Sequence, residues 1–123
     1  MAKILLVDDD PTNSDLLKMF LELEAFEVAV AHNLDDARCA LAPSIDLVLL
    51  DYHLTRKMNG LTLLTEIRDG QTDIPATTPI IVASGDDRVD QKSLDEGANL
   101  FMHKPFSPSN LVVKIRDLLT SSN

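Results

Sequence analysis

Five polar residues each stand at the end of a short, largely apolar run: Asp8 and Asp9 after ILLV, Asp51 after LVLL, Ser84 after IIVA, and Lys104 after LFMH. None of these residue types is informative alone. Carboxylates gathered at one place raise one another's pKa unless a cation joins them. A hard, oxygen-preferring ion such as Mg²⁺ answers that problem, because it takes few protein carboxylates and keeps places for water and phosphate oxygen. With the ion present, one carboxylate can act as a nucleophile toward a phosphoryl group. A lysine ammonium then holds a second phosphate oxygen as a compact charge, and a serine hydroxyl donates to a third. Such chemistry works by positioning and charge neutralisation.

The elements that would gather these residues follow from periodicity. Short apolar runs predict strands over Lys3–Val7, Glu27–Ala31, Ile45–Leu50, Pro79–Ala83 and Leu100–His103. Between them lie predicted helices. The first starts at Asp10-Pro11, a cap followed by proline, and carries Leu16, Leu17, Phe20, Leu21 and Leu23 to about Glu24. The second spans Asn33–Ala42 and is stopped by Pro43, the third spans Leu61–Arg68, and the fourth, polar for much of its length, spans Asp86–Glu96. The last starts at Ser107-Pro108 and presents Leu111, Val112, Ile115, Leu118 and Leu119. Strand–helix alternation predicts an α/β fold, a (βα)5 doubly wound parallel sheet with helices on both faces. In such sheets ligands sit outside the carboxyl ends of the strands, where the five residues fall.

Composition narrows the function. The chain has 123 residues, of an ordinary single-domain length, and 20 acids against 11 Lys plus Arg give a net charge of −9. That excludes a bare electrostatic grip on nucleic acid or an anionic membrane, and predicts no direct nucleic-acid partner. Cys39 is the single cysteine, so an internal disulfide and a cysteine metal cluster are both excluded; it reads as a small apolar residue of the second helix. The N-terminal apolar run is too short for a signal peptide and meets acids, and no segment reaches membrane-spanning length, which predicts a cytoplasmic protein.

These motifs resemble a response-regulator receiver domain over the full chain, residues 1–123. The resemblance rests on VDD (Val7 to Asp9), on Asp51 after LVLL, on the hydroxyl of VASG (Ser84), and on KPF (Lys104 to Phe106). It implies a flavodoxin-like sheet of strand order 2-1-3-4-5. It implies that Asp51 is the phosphoacceptor for a histidine kinase or histidine phosphotransfer protein. Asp9, Asp51 and the backbone carbonyl of His53 would bind Mg²⁺, which Mn²⁺ can replace, and Asp8 would help through water. Lys104 and Ser84 would contact the phosphoryl oxygens. Ser84 and Phe101 would be the switch pair, and His53 and Asp86 would tune the lifetime of the acyl phosphate. The face of helix four, strand five and helix five would then bind a downstream protein, as a monomer or a phosphorylation-dependent dimer.

Departures from the family pattern are local. After Asp51 the chain reads DYHLTRKMNG, with Leu54-Thr55 and one extra residue before Gly60, so a different loop path is predicted. Ser84 stands where threonine is commoner. No output domain follows the last helix, which predicts a stand-alone receiver or a domain of a longer regulator, and the TSSN tail reads as disordered.

Simpler readings compete residue by residue. Asp10 reads as a helix cap because Pro11 follows it. His32, His53 and His103 share no metal-ligand spacing and read as solvated or packed. DDDPT (Asp8 to Thr12) also fits a haloacid-dehalogenase-type phosphatase, with Asp8 as nucleophile and Asp10 as acid/base. That reading leaves Asp51 without a role. A receiver-like interaction module independent of phosphate is the third alternative.

Overall fold

The computed structural model describes residues 1–53 and 60–121. Strands β1 (Lys3–Val7), β2 (Glu27–Ala31), β3 (Leu47–Asp51), β4 (Ile80–Ser84) and β5 (Leu100–His103) alternate with helices α1 (Pro11–Leu23), α2 (Leu34–Ala40), α3 (Leu61–Arg68), α4 (Asp90–Asp95) and α5 (Pro108–Ser121). All strand pairs are parallel, and the order is β2-β1-β3-β4-β5, as the family resemblance implied.

The uninterrupted aliphatic runs have a physical origin. Successive strand residues point to opposite faces, and both faces are covered by helices. Ile4, Leu6, Leu47, Leu49 and Ile81 pack with Leu17 and Leu21 of α1 and with Leu111 and Ile115 of α5. Leu5, Val7, Val48, Leu50, Ile80 and Val82 pack on the other side with Leu34 and Ala37 of α2 and with Leu63, Leu64 and Ile67 of α3.

Several predicted boundaries move. β3 starts at Leu47 because Asp46 ties itself to β1 instead: its carboxylate accepts the Lys3 N–H at 2.8 Å, and its own N–H donates to the Lys3 carbonyl. α2 stops at Ala40, where Leu41 turns extended and buries its side chain. α4 is shorter than predicted. Asp86 stays outside it, and a 3-10 turn over Asp87–Val89 leads into Asp90. α5 continues to Ser121, so the first two residues of TSSN are helical; Ser122 and Asn123 lie outside the described residues.

On α1, Leu16 and Leu23 do not join the core; they are 62% and 81% exposed. Cys39 is exposed as well. The Leu54-Thr55 departure and the extra residue before Gly60 lie outside the described residues. Gly60 itself is buried against the end of β3, its N–H donating to the Tyr52 carbonyl at 2.7 Å. A Cβ at Gly60 would overlap the Asp51 carbonyl oxygen and stand 2.9 Å from Leu50 Cγ.

Candidate functional site

The β1–β3–β4–β5 register delivers the five polar residues to one edge. Val7 lies opposite Leu50, Asp51 opposite Ala83, and Ser84 opposite His103, so the strands end together. Asp8 and Asp9 leave β1 into the turn that starts α1, and Lys104 leaves β5 with its N–H on the Ser84 carbonyl at 2.8 Å.

Carboxylate oxygens of Asp8, Asp9 and Asp51 lie within 4.8 Å of one another. Asp8 is buried, Asp51 is half-buried and Asp9 is exposed, so the cluster opens to solvent on one side. The opening is a cleft of about 980 Å³, whose lining includes all three acids, Asn13 and Lys104. Burial pushes the Asp51 carboxyl above the usual carboxylate value; Lys104 opposes that shift and the charge of Asp8 adds to it. The Lys104 ammonium is 3.2 Å from Asp51 Oδ2. His53 donates its backbone N–H to Asp51 Oδ1 at 3.3 Å.

Ser84 is buried one residue beyond Ala83, the register partner of Asp51, and its Oγ accepts the Asp86 N–H at 3.0 Å. Asp86 grips Arg88: Arg88 Nε and Nη2 donate to its two carboxylate oxygens at 2.9 and 3.0 Å. Those bonds hold the Asp86 carboxyl at about 2, with a small further contribution from His53. Phe101, opposite Val82 on β5, is half-buried and lies outside the lining of the acidic cleft; it lines a second, smaller depression with Met102 and Phe106.

Asp10 is the cap of α1. Its Oδ1 accepts the N–H groups of Thr12 and Asn13 at 3.0 and 3.4 Å. Sequence reasoning did not anticipate three contacts. The Asn13 side-chain amide donates to Asp8 Oδ2 at 2.6 Å, His32 Nδ1 lies 2.9 Å from the Asp8 carbonyl, and Arg88 ties Asp86. The only signal for Asn13 was a polar residue in the first turn of a helix that starts just after the acids.

The arrangement has known counterparts. The response regulator receiver domain family matches residues 4–116. The chain belongs to this family. As a receiver it is 40% identical over 125 residues to the transcriptional regulatory protein CpxR of Klebsiella pneumoniae, covering 100% of the chain and 51% of that protein. It is 35% identical to the transcriptional regulatory protein SrrA of Staphylococcus aureus, covering 95% of the chain and 47% of that protein. The receiver thus spans about half the length of these relatives.

In structure, the receiver resembles a two-component response regulator from Clostridium difficile, with a TM-score of 0.88, 28% identity and coverage of 100% and 99% of the two chains. It also resembles the receiver domain of NtrX from Brucella abortus, with a TM-score of 0.83, 29% identity and coverage of 95% and 98%. Membership leaves the phosphatase alternative without support, and the carboxylate that it would need as acid/base, Asp10, is engaged in capping α1. Among the described residues no helix is long and apolar enough to cross a membrane.

Proposed function

We propose that Asp51 of this receiver accepts a phosphoryl group from the phosphohistidine of a histidine kinase or histidine phosphotransfer protein. An Asp51 oxygen attacks phosphorus while the P–N bond to the donor imidazole breaks, and the imidazole keeps the electron pair. The observation that carries this reading is the convergence of Asp8, Asp9 and Asp51 within 4.8 Å, with Lys104 paired to Asp51.

The donor set fits Mg²⁺, or Mn²⁺ in its place. It is all oxygen, it opens to water, and it holds a half-buried carboxylate whose ionised form needs more positive charge than Lys104 supplies. Asp9, Asp51 and the His53 carbonyl would hold the ion, with Asp8 acting through water. The bound ion would neutralise charge on the phosphoryl oxygens. Lys104 keeps its ammonium at Asp51 and takes a phosphoryl oxygen, and Ser84 takes another.

The signal leaves through the same bonds. Ser84 exchanges the Asp86 N–H for the phosphoryl group, and Phe101 turns inward. The α4–β5–α5 face then changes shape and binds a downstream protein, as a monomer or a phosphorylation-dependent dimer. This is a shift between two conformations, biased by contacts that the phosphoryl group makes in only one of them. His53, which lines the cleft, and Asp86, which follows the cleft residue Gly85, set how long the acyl phosphate lasts. Any intrinsic catalysis is slight: Mg²⁺-dependent self-phosphorylation from small donors, and slow hydrolysis. We place this work in the cytoplasm, with residues 1–123 acting as one receiver unit.

The test is intact-mass spectrometry of protein treated with acetyl phosphate and Mg²⁺. One phosphoryl group is expected, located on Asp51, not formed when a chelator is present from the start and absent from Asp51→Asn. Tyr52, the single tyrosine, stands beside Asp51 and should report ion binding by fluorescence. An adduct elsewhere, or none with an active donor, overturns the reading in favour of a phosphate-independent module.

A further inference from the structure

Asp8 is only 3% exposed, yet each of its oxygens already has a donor. The Asp10 backbone N–H donates to Oδ1 at 2.9 Å, and the Asn13 side-chain amide donates to Oδ2 at 2.6 Å. A carboxylate has about four lone-pair sites, so each oxygen keeps capacity for one further partner. What is lost is freedom to rotate. Two donors on opposite oxygens, both rooted in the start of α1, pin the carboxylate plane.

The two donors differ in kind. The Asp10 N–H is backbone, and its place is set by the cap of α1. Asn13 is a side chain at the third helical position, where a residue often reaches back to complete a capping box. Here the Asp10 N–H, which a capping box would give to the third helical residue, is already given to Asp8 Oδ1. The Asn13 amide donates to the same buried acid instead, and it lines the cleft that holds Asp9, Asp51 and Lys104.

We infer that Asn13 is a positioning residue that makes the acidic site select Mg²⁺ over Ca²⁺; the inference rests on the Mg²⁺ reading above. Mg²⁺ demands near-ideal octahedral geometry and keeps its waters, so it gains from a carboxylate held still at a fixed distance. Ca²⁺ accepts more ligands in flexible geometry and takes carboxylates with both oxygens. Asp8, which reaches the ion through water, is pinned through both oxygens and so resists moving in to chelate a larger ion directly. Hydrogen-bond partners that orient metal-site carboxylates contribute roughly 10- to 100-fold to affinity.

The test is calorimetric titration of the unphosphorylated protein with Mg²⁺ and, separately, with Ca²⁺, on wild type and Asn13→Leu, which keeps the branched shape and removes the donor. Asn13→Ser serves as a second variant should the leucine variant not fold. Mg²⁺ affinity is expected to fall about 10-fold, with Ca²⁺ affinity falling less, so that the ratio between them shifts toward Ca²⁺. A purely structural role for Asn13 would lower the thermal midpoint and leave that ratio in place. An unchanged Mg²⁺ affinity, or equal losses for both ions, overturns the inference while the Mg²⁺ reading stands. Wild type that binds neither ion overturns both.

Discussion

The Lys104 ammonium lies 3.2 Å from Asp51 Oδ2, an ion pair that joins the end of β5 to the end of β3, with side chains 31% and 11% exposed. One cation serves a crowded carboxylate here. Burial raises the Asp51 pKa most, Lys104 lowers it, Asp8 raises it again, and the balance stays above the usual value. Lys104 thus offsets only part of what burial and Asp8 impose on Asp51.

Removing that ammonium should slow phosphoryl transfer without abolishing ion binding. Lys104→Met keeps a long stem and deletes the charge. The rate of Asp51 phosphorylation by acetyl phosphate should fall about 10²- to 10³-fold, the usual cost of one lost electrostatic donor. Mg²⁺ affinity should hold or rise, because a positive charge beside the acids is gone. Time courses by intact mass measure the first and calorimetry the second. An unchanged transfer rate would remove Lys104 from the chemistry.

The raised pKa of Asp51 carries a pH dependence of defined sign. In metal-free protein the native state binds more protons than the unfolded chain between the usual carboxylate value of 3.8 and the higher folded value. Stability contributed by Asp51 is therefore lost as pH rises through that window. Asp51→Asn should be more stable than wild type at neutral pH, with the gap closing below the window. Saturating Mg²⁺ should narrow the gap by stabilising wild type alone. Urea midpoints across a pH series measure this, and a gap independent of pH would contradict it.

The legible parts of this fold are those that one physical rule dictates. ILLV, LVLL and IIVA predict strands buried on both faces because parallel sheets carry helices on both sides, and they are buried so. The acids, the serine and the lysine were legible as a set because parallel strands must end on one edge. Strand order came only through family resemblance, since alternation predicts a sheet but not its sequence of neighbours. Leu16 and Leu23 share the spacing of the core residues of α1; only packing distinguishes them, and the helix buries a narrower stripe centred on Leu17 and Leu21. The bond from Asn13 to Asp8 depends on the angle at which α1 leaves β1, which no local pattern encodes. Asp86 was misplaced in α4 because an acid before a polar helix looks like a first-turn residue, and its pairing with Arg88 is a side-chain event.

Gly60 should tolerate no side chain. Its ideal Cβ would overlap the carbonyl oxygen of Asp51, a backbone atom at the end of a central strand, so the neighbour cannot simply swing away. Gly60→Ala should cost about 1–3 kcal/mol, the range for overpacking a filled core. It should also displace the end of β3 and so lower Mg²⁺ affinity. Chemical denaturation gives the first quantity and Tyr52 fluorescence titration the second. A variant of wild-type stability would show that the chain passes β3 at a greater distance.

Arg88 should act as a brake on Asp86. Both carboxylate oxygens of Asp86 accept hydrogen bonds from the Arg88 side chain, which competes with any water for them. Freed, that carboxylate can orient a hydrolytic water toward phosphorylated Asp51. Arg88→Ala should therefore shorten the acyl-phosphate lifetime several-fold, and Arg88→Ala combined with Asp86→Ala should restore it. The restraint also has a pH signature. The depressed pKa of Asp86 gives a contribution to stability present above 3.8 and lost as pH falls through about 2. In Arg88→Ala that acid-range loss should shrink. Decay of phosphorylated protein after the donor is removed gives the lifetimes. Equal lifetimes in wild type and Arg88→Ala would leave the Asp86–Arg88 pair a surface contact without a role in turnover.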